Sequence, residues 1–311
     1  MLDATASGVY VIAPTPFHDD GRVDDASTDR MTDFFLEAGC TGITVLGMMG
    51  EAPKLEHAEA LDVATRVIRR ARDLPVVVGV SAAGFAAMRA LARPAMEAGA
   101  AGVMIAPPSS LRTDDQIVTY YAQAIEAIGP DIPVVIQDYP LAIGVVMTPG
   151  VIRRVVQANP SCVMLKHEDW PGLEKISQLR AWQADGSMRP ISILCGNGGL
   201  FLDFEMERGA DGAMTGYAFP DMLVDVVRLS KEGRRDAAHD LFDAHLPLVR
   251  YEQQPGVGLA VRKYVLKRRG VLASDAQRKP GAALTAAART EVDYLLSRVA
   301  RGDARAGRLA A

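Results

Sequence analysis

Short runs of apolar, often β-branched residues alternate along this chain with longer stretches in which apolar positions recur at helical spacing. The first run, residues 8–17 (GVYVIAPTPF), gives way to DDASTDRMTDFFLEAG, where Met31, Phe34, Phe35 and Ala38 share one helical face before Gly39. The pair of patterns recurs, with further strands expected at residues 42–47, 75–81, 102–108, 133–140, 162–168, 191–197 and 212–218. Stretches 56–72, 84–98, 114–128 and 148–158 are each long enough for a right-handed crossover helix. Near-continuous apolar strands mean a sheet covered on both faces. Eight such units in about 220 residues favour a closed α/β barrel, the (β/α)8 or TIM barrel, over an open doubly wound sheet.

A dinucleotide-binding fold would place G-x-G-x-x-G after a strand. The turn GMMGE at 47–51 has another spacing, and no acidic residue ends a second strand about 20 residues later. Past residue 218 the strand pattern stops, and FPDMLVDVVRLSKEG, RDAAHDLFDAHLPLVRYEQ, GVGLAVRKYVLKRRG and TEVDYLLSRVARG all read as helices. The expected organisation is a barrel over 1–230, a C-terminal helical extension over 231–300 and a frayed tail over 301–311.

Composition narrows the function. The 311 residues are 49% hydrophobic and 23% charged with a net charge of -4, and Lys and Arg are scattered, so no basic stripe exists to neutralise phosphates. Nucleic acid is not an expected partner. MLDATASGVY has no basic segment leading into an apolar one, and no run approaches the ~18 apolar residues of a membrane span, so a cytoplasmic protein without membrane contact is expected. Cys40, Cys162 and Cys195 show no CxxC spacing, and His18, His57, His239 and His245 show no ligand spacing. The cysteines read as buried thiols, and no metal is expected.

In such a barrel the working groups project from the C-terminal ends of the strands. That rule selects GMMGE, QDYP, KHED, GNGG and TGYAFP, and Lys166 is the one lysine among them. It follows Val163, Met164 and Leu165, and an ammonium group is rarely buried without a partner. Two readings follow. Either Lys166 makes a structural ion pair with Glu168 or Asp169 at the rim, or its apolar setting disfavours the charged form and leaves a nucleophilic amine. Such an amine condenses with a ketone, and the protonated imine withdraws electrons from the next carbon without a metal or other cofactor. His167 points the other way, into the helix layer.

With a strand-6 lysine, a G-x-x-G-E turn after strand 2, a proline turn after strand 5, a glycine pair after strand 7 and helices at the C-terminus, the chain resembles the dihydrodipicolinate synthase and N-acetylneuraminate lyase superfamily from about residue 8 to about 300. The resemblance implies class I aldolase, dehydratase or condensing chemistry, with a 2-oxo acid held as a Schiff base on Lys166. It also implies a homotetramer or homodimer. The family's carboxylate-binding turn matches Gly47 to Glu51, where backbone N–H groups around Met49 and Gly50 would form a nest for an anion. Glu51 itself reads as a cap of the following helix or an acceptor for backbone N–H groups, not as a substrate contact.

The chain also departs from that pattern. Met48 and Met49 stand where the family turn carries two threonines, which removes a hydroxyl that would bond the carboxylate and relay protons. The family's Tyr-Asn-x-Pro on strand 5 is here Gln137, Asp138, Tyr139, Pro140, and an amide does no acid-base work. Ala142 occupies the position of the arginine that binds the aldehyde's carboxylate in true dihydrodipicolinate synthases, and Ser109 falls where they lend a tyrosine across the subunit interface. These losses argue against lysine biosynthesis.

What remains is similar to the 2-keto-3-deoxy sugar acid dehydratases of the L-2-keto-3-deoxyarabonate type, in the Gln-Asp start of the strand-5 turn and in GAMTGYAFPD (212–221) and HLPLVRYEQQPG (245–256). The expected catalytic residues are Lys166, Gln137, Asp138 and Tyr139, with Glu168 or an ordered water as further proton carriers. Met48, Met49, Gly50, Gly196, Thr215 and Gly216 are the expected substrate-binding residues. Asp138 also reads as a cap of the turn before Pro140, and Tyr139 must face the same way as Gln137. The alternatives are a pyruvate-releasing aldolase on the same lysine and a non-catalytic binding barrel.

Overall fold

The computed structural model describes residues 1–170 and 172–309. Parallel strands β1 (Gly8–Ile12), β2 (Gly42–Val45), β3 (Val76–Gly79), β4 (Gly102–Ile105), β5 (Val134–Asp138), β6 (Cys162–His167), β7 (Ser192–Cys195) and β8 (Gly212–Ala213) close into a barrel in chain order. Helices α1 (Asp25–Glu37), α2 (His57–Arg70), α3 (Phe85–Glu97) and α4 (Asp114–Ile128) alternate with the first strands. A short α5 (Pro140–Ile143) follows β5, and α6 (Pro149–Ala158), α7 (Leu173–Ala184), α8 (Leu202–Glu207) and α9 (Pro220–Lys231) complete the ring. The extension is α10 (Arg235–Glu252), α11 (Gly258–Arg268) and α12 (Ala286–Gly302). No helix among the described residues is long and apolar enough to cross a membrane.

Strand alternation divides the core in two. Tyr10, Ile12, Val77, Met104, Val135, Met164, Leu194 and Met214 fill the barrel interior, while Val9, Val11, Ile43, Val78, Ile105, Ile136, Leu165 and Ile193 pack with the helix layer. The register sets Gln137 beside Lys166 and Asp138 beside His167, so the inward row of β5 and β6 ends in polar residues at the barrel mouth.

Two strands are shorter than their apolar runs. β1 stops at Ile12 because Pro14 and Pro16, which follow, have no N–H for a ladder. β8 keeps only Gly212 and Ala213, although the Ile12 amide still donates to the Thr215 carbonyl at 2.9 Å. The segment expected to fray is instead held through Leu309. Ala306 is buried, Arg305 pairs with Asp225 and Asp303, and Arg268 donates to the Leu309 carbonyl. Ala310 and Ala311 lie outside the described residues.

The extension is tied into the barrel mouth by buried polar contacts. His245 of α10 lies 2.9 Å from the Tyr217 hydroxyl and 2.9 Å from Asp303. The Ala218 amide donates to Glu252, and Lys263 of α11 donates to Glu51 at 2.5 Å. These ties bring α10 and α11 over the ends of β8, β1 and β2.

Candidate active site

Lys166 and Glu168 are two residues apart on β6 and its exit, so alternation turns both inward. Each is only 5% exposed, and Lys166 Nζ stands 3.0 Å from Glu168 Oε1. The Gln137 amide donates to that oxygen at 2.7 Å, and the Asn197 backbone N–H donates to Oε2 at 3.1 Å. A buried ion pair is tolerable when its remaining lone pairs are satisfied in this way. The two sequence readings of Lys166 thus meet in one arrangement: its burial is as expected, but a carboxylate shares its setting.

The pair opens into a cavity of about 60 Å³, room for on the order of a handful of water molecules. Ile12, Met48, Met49, Tyr139, Asn197, Gly198, Thr215 and Gly216 line it, together with Gln253 just past the end of α10 and Arg262 from α11. Burial pushes the Tyr139 phenol up, and the Glu168 charge adds to the shift. The residue therefore stays protonated through the neutral range and can act as an acid.

The strand-2 turn is a single 3-10 turn, Met48–Gly50. The Gly50 amide closes it by donating to the Gly47 carbonyl, whereas the Met48 and Met49 amides have no acceptor among the described residues. Of the two amides expected to face an anion, that of Gly50 is thus taken up within the turn, and that of Met49 is left without an acceptor among the described residues. Of the two roles expected for Glu51, the side chain makes no cap bond to the following turn and does accept from a backbone N–H, that of Arg278. Glu51 takes a left-handed backbone (φ 55°) and receives Lys263, Lys54 and the Arg278 amide, a set of contacts that can hold a strained non-glycine residue.

Of the expected site residues, the structure brings Lys166, Gln137, Tyr139, Met48, Met49, Thr215 and Gly216 to one cavity. Asp138, Gly50 and Gly196 are not on its wall. Asp138 faces outward, wholly buried, where Lys175 of α7 donates to it at 2.7 Å; burial raises its pKa against that neighbour. Its outward direction corrects the expectation of a proton carrier and follows from its place between Gln137 and Tyr139. His167 also faces outward, 3.1 Å from Glu205, with Cys195 close by; burial and then Glu205 hold the Cys195 thiol well up.

The expected glycines do something the sequence hides. A Cβ at Gly196 would stand 2.3 Å from Glu168 Cγ, one at Gly198 1.9 Å from Gln253 Nε2, and one at Gly216 1.9 Å from Arg262 Nη1. Each glycine leaves space for a polar side chain from elsewhere. Gln253 and Arg262 were not among the sequence candidates. The available signal was a charged pair, Arg262 and Lys263, inside the apolar run GLAVRKYVL.

Comparison with known proteins gives a consistent family and divided activities. The profile of the dihydrodipicolinate synthetase family matches residues 5–299. An L-2-keto-3-deoxyarabonate dehydratase of Azospirillum brasilense is 32% identical over 279 residues, 88% of this chain and 88% of that one. A 4-hydroxy-tetrahydrodipicolinate synthase of Chlorobium luteolum is 30% identical, covering 92% of this chain and 95% of its own. Among solved structures, a protein of Rhodopseudomonas palustris named dihydrodipicolinate synthase is 73% identical with a TM-score of 0.95, over 96% of this chain and 99% of that one. Matches of this extent are a property of the whole barrel and its extension together, and they make the chain a member of the dihydrodipicolinate synthetase family, a family of lyases.

Proposed function

We propose that the protein forms a Schiff base between Lys166 and a small 2-oxo acid, and that it dehydrates a 2-keto-3-deoxy sugar acid. The observation that carries this reading is the Lys166–Glu168 pair at 3.0 Å on the wall of a cavity of about 60 Å³ at the barrel mouth. Glu168 is placed to take the ammonium proton, which frees the amine to attack the C2 carbonyl. Returning that proton to the carbinolamine hydroxyl releases water and leaves the iminium. The Glu168 carboxylate then removes a C3 proton, and the resulting enamine expels the C4 hydroxyl as water with a proton from Tyr139. Hydrolysis releases the dehydrated oxo acid and restores Lys166.

The same sugar acid could instead be split between C3 and C4. That route needs a base at the C4 hydroxyl, whereas Tyr139 is held protonated by burial and by Glu168. An acid at that end favours loss of the hydroxyl over cleavage. Condensation with an aldehyde, the reaction named for the Rhodopseudomonas relative, finds less support, because Ala142 and Ser109 are exposed and offer neither an arginine nor a tyrosine.

The test is borohydride trapping with pyruvate and a panel of 2-keto-3-deoxy sugar acids, with the adduct located by mass spectrometry. An adduct on Lys166 that is lost in Lys166→Ala, together with a dehydrated product from one acid, is the expected result. Pyruvate release from that acid would favour the aldolase, and no adduct from a well-folded protein would sink the Schiff-base reading.

A further inference from the structure

Arg262 crosses from α11 to the barrel mouth, lines the same cavity as Lys166 and is only 2% exposed. Its Nε donates to Glu252 Oε1 at 2.5 Å and its Nη2 donates to the Gly216 carbonyl. Its Nη1 is buried and has no hydrogen-bond partner among the described residues. A guanidinium carries five N–H donors, and a buried donor left without an acceptor costs free energy that a folded protein normally avoids. A strut between α10 and β8 explains Nε and Nη2. It does not explain Nη1.

Gly216 adds a second observation. Its backbone lies outside the positive-φ region, so the chain does not require glycine there for conformational reasons. Space requires it, because a Cβ would stand 1.9 Å from Nη1. The chain therefore gives up a side chain at the cavity wall to make room for a donor that the protein itself leaves unused.

We infer that Arg262 is the carboxylate clamp of this site: Nη1 takes an oxygen of the C1 carboxylate of the 2-oxo acid whose C2 is attacked by Lys166. This rests on the reading above. C1 is bonded to C2, so the carboxylate of any acid attacked by Lys166 lies in the cavity that Lys166 and Arg262 both line. Arg262 lines the cavity together with Met48 and Met49, whose amides have no acceptor among the described residues. The guanidinium thereby does the work of the hydroxyls missing from that turn, with a fixed fork suited to a carboxylate. The clamp comes from the C-terminal extension, so substrate recognition depends on α11 being docked.

Trapping by borohydride is compared for pyruvate and for methyl pyruvate, which keeps the ketone but not the anion. Arg262→Met is made together with Glu252→Met, so that no half of the buried pair is stranded. Gly216→Ala is the second variant, which crowds Nη1 without removing the arginine. Both should raise the pyruvate concentration for half-maximal trapping by about 10- to 100-fold, the scale of one charge-assisted hydrogen bond, with methyl pyruvate changed by less than about 2-fold. Arg262→Lys should recover part of the loss. Equal losses for both ketones in folded variants would overturn the clamp, as would a loss confined to longer acids. Should wild type trap neither ketone, the Schiff-base reading fails, and calorimetric titration with L-lactate decides the clamp separately. Heat that disappears in Gly216→Ala supports it, and no heat in wild type overturns it.

Discussion

Gln137 donates its amide at 2.7 Å to the Glu168 oxygen that faces the Lys166 ammonium at 3.0 Å. The amide cannot titrate, so its part is to hold the carboxylate while protons pass between Glu168 and Lys166. Glu168→Gln should lower kcat by about 10²- to 10⁴-fold, the usual worth of a positioned general base. Slow borohydride trapping on Lys166 should persist. Gln137→Leu keeps the charge and loses only its orientation, so its effect should be smaller. Stopped-flow measurement of adduct formation beside steady-state kcat separates the two, and equal effects would mean that Glu168 does not move protons.

Tyr139 is held protonated by burial and by the Glu168 charge. Acting as the acid for the departing hydroxyl, it matters after the Schiff base has formed. Tyr139→Phe should therefore cut dehydration about 10²-fold while pyruvate traps on Lys166 as in wild type. In the pH profile of wild type, no limb from this phenol should appear below about 10, the ordinary tyrosine value, since the shift is upward. A phenol limb near neutrality would contradict the assignment.

Asp138 and Lys175 form a buried pair behind β5, which Lys175 shares with Asp169 and the Met147 carbonyl. Asp169 and the Met147 carbonyl still hold the ammonium when Asp138 loses its charge, so Asp138→Asn should destabilise the fold by only about 1 kcal/mol, the worth of one buried hydrogen bond. kcat/KM per folded molecule should not change. Urea unfolding with matched kinetics tests this, and a selective loss of turnover would return Asp138 to the mechanism.

The barrel was legible because each strand is covered on both faces and reads as an unbroken apolar run, which is the reason Lys166 stood out as a charge among Val163, Met164 and Leu165. Alternation also put Gln137 and Tyr139 on one side of the strand-5 exit, but it was not carried through to Asp138, which was expected in the site and turns outward. The length of β1 was not legible from apolarity alone, because Pro14 and Pro16 continue the run without the N–H groups a ladder needs. Arg262 carried the same signal as Lys166, a charge in apolar surroundings, but it sits on a helix whose docking depends on contacts distant in sequence. Gly196 and Gly216 show the same limit. A glycine that vacates space for a far-off side chain looks, in sequence, the same as one that touches a ligand.

The loop after α11 bears on the strand-2 turn through Arg278, whose amide donates to Glu51 and whose guanidinium pairs with Glu59 at 2.5 Å. The Arg278 hydrogen bonds, with help from the Glu56 amide, hold the Glu59 carboxyl down at about 2, against an ordinary 4.5. A carboxyl with a lower value in the folded state binds its proton first in the unfolded chain. Its stabilising contribution is therefore complete above about pH 4.5 and drains away as the pH falls toward 2. The pair is partly exposed and screened by solvent, so the contribution is about 1 kcal/mol or less. Glu59→Gln should accordingly be less stable than wild type at pH 7, by an amount that shrinks to nothing near pH 2, with the acid limb of a urea-midpoint profile flattened. A difference that stays constant from pH 7 to pH 2.5 would mean that the charge on Glu59 plays no part in holding this loop over the turn.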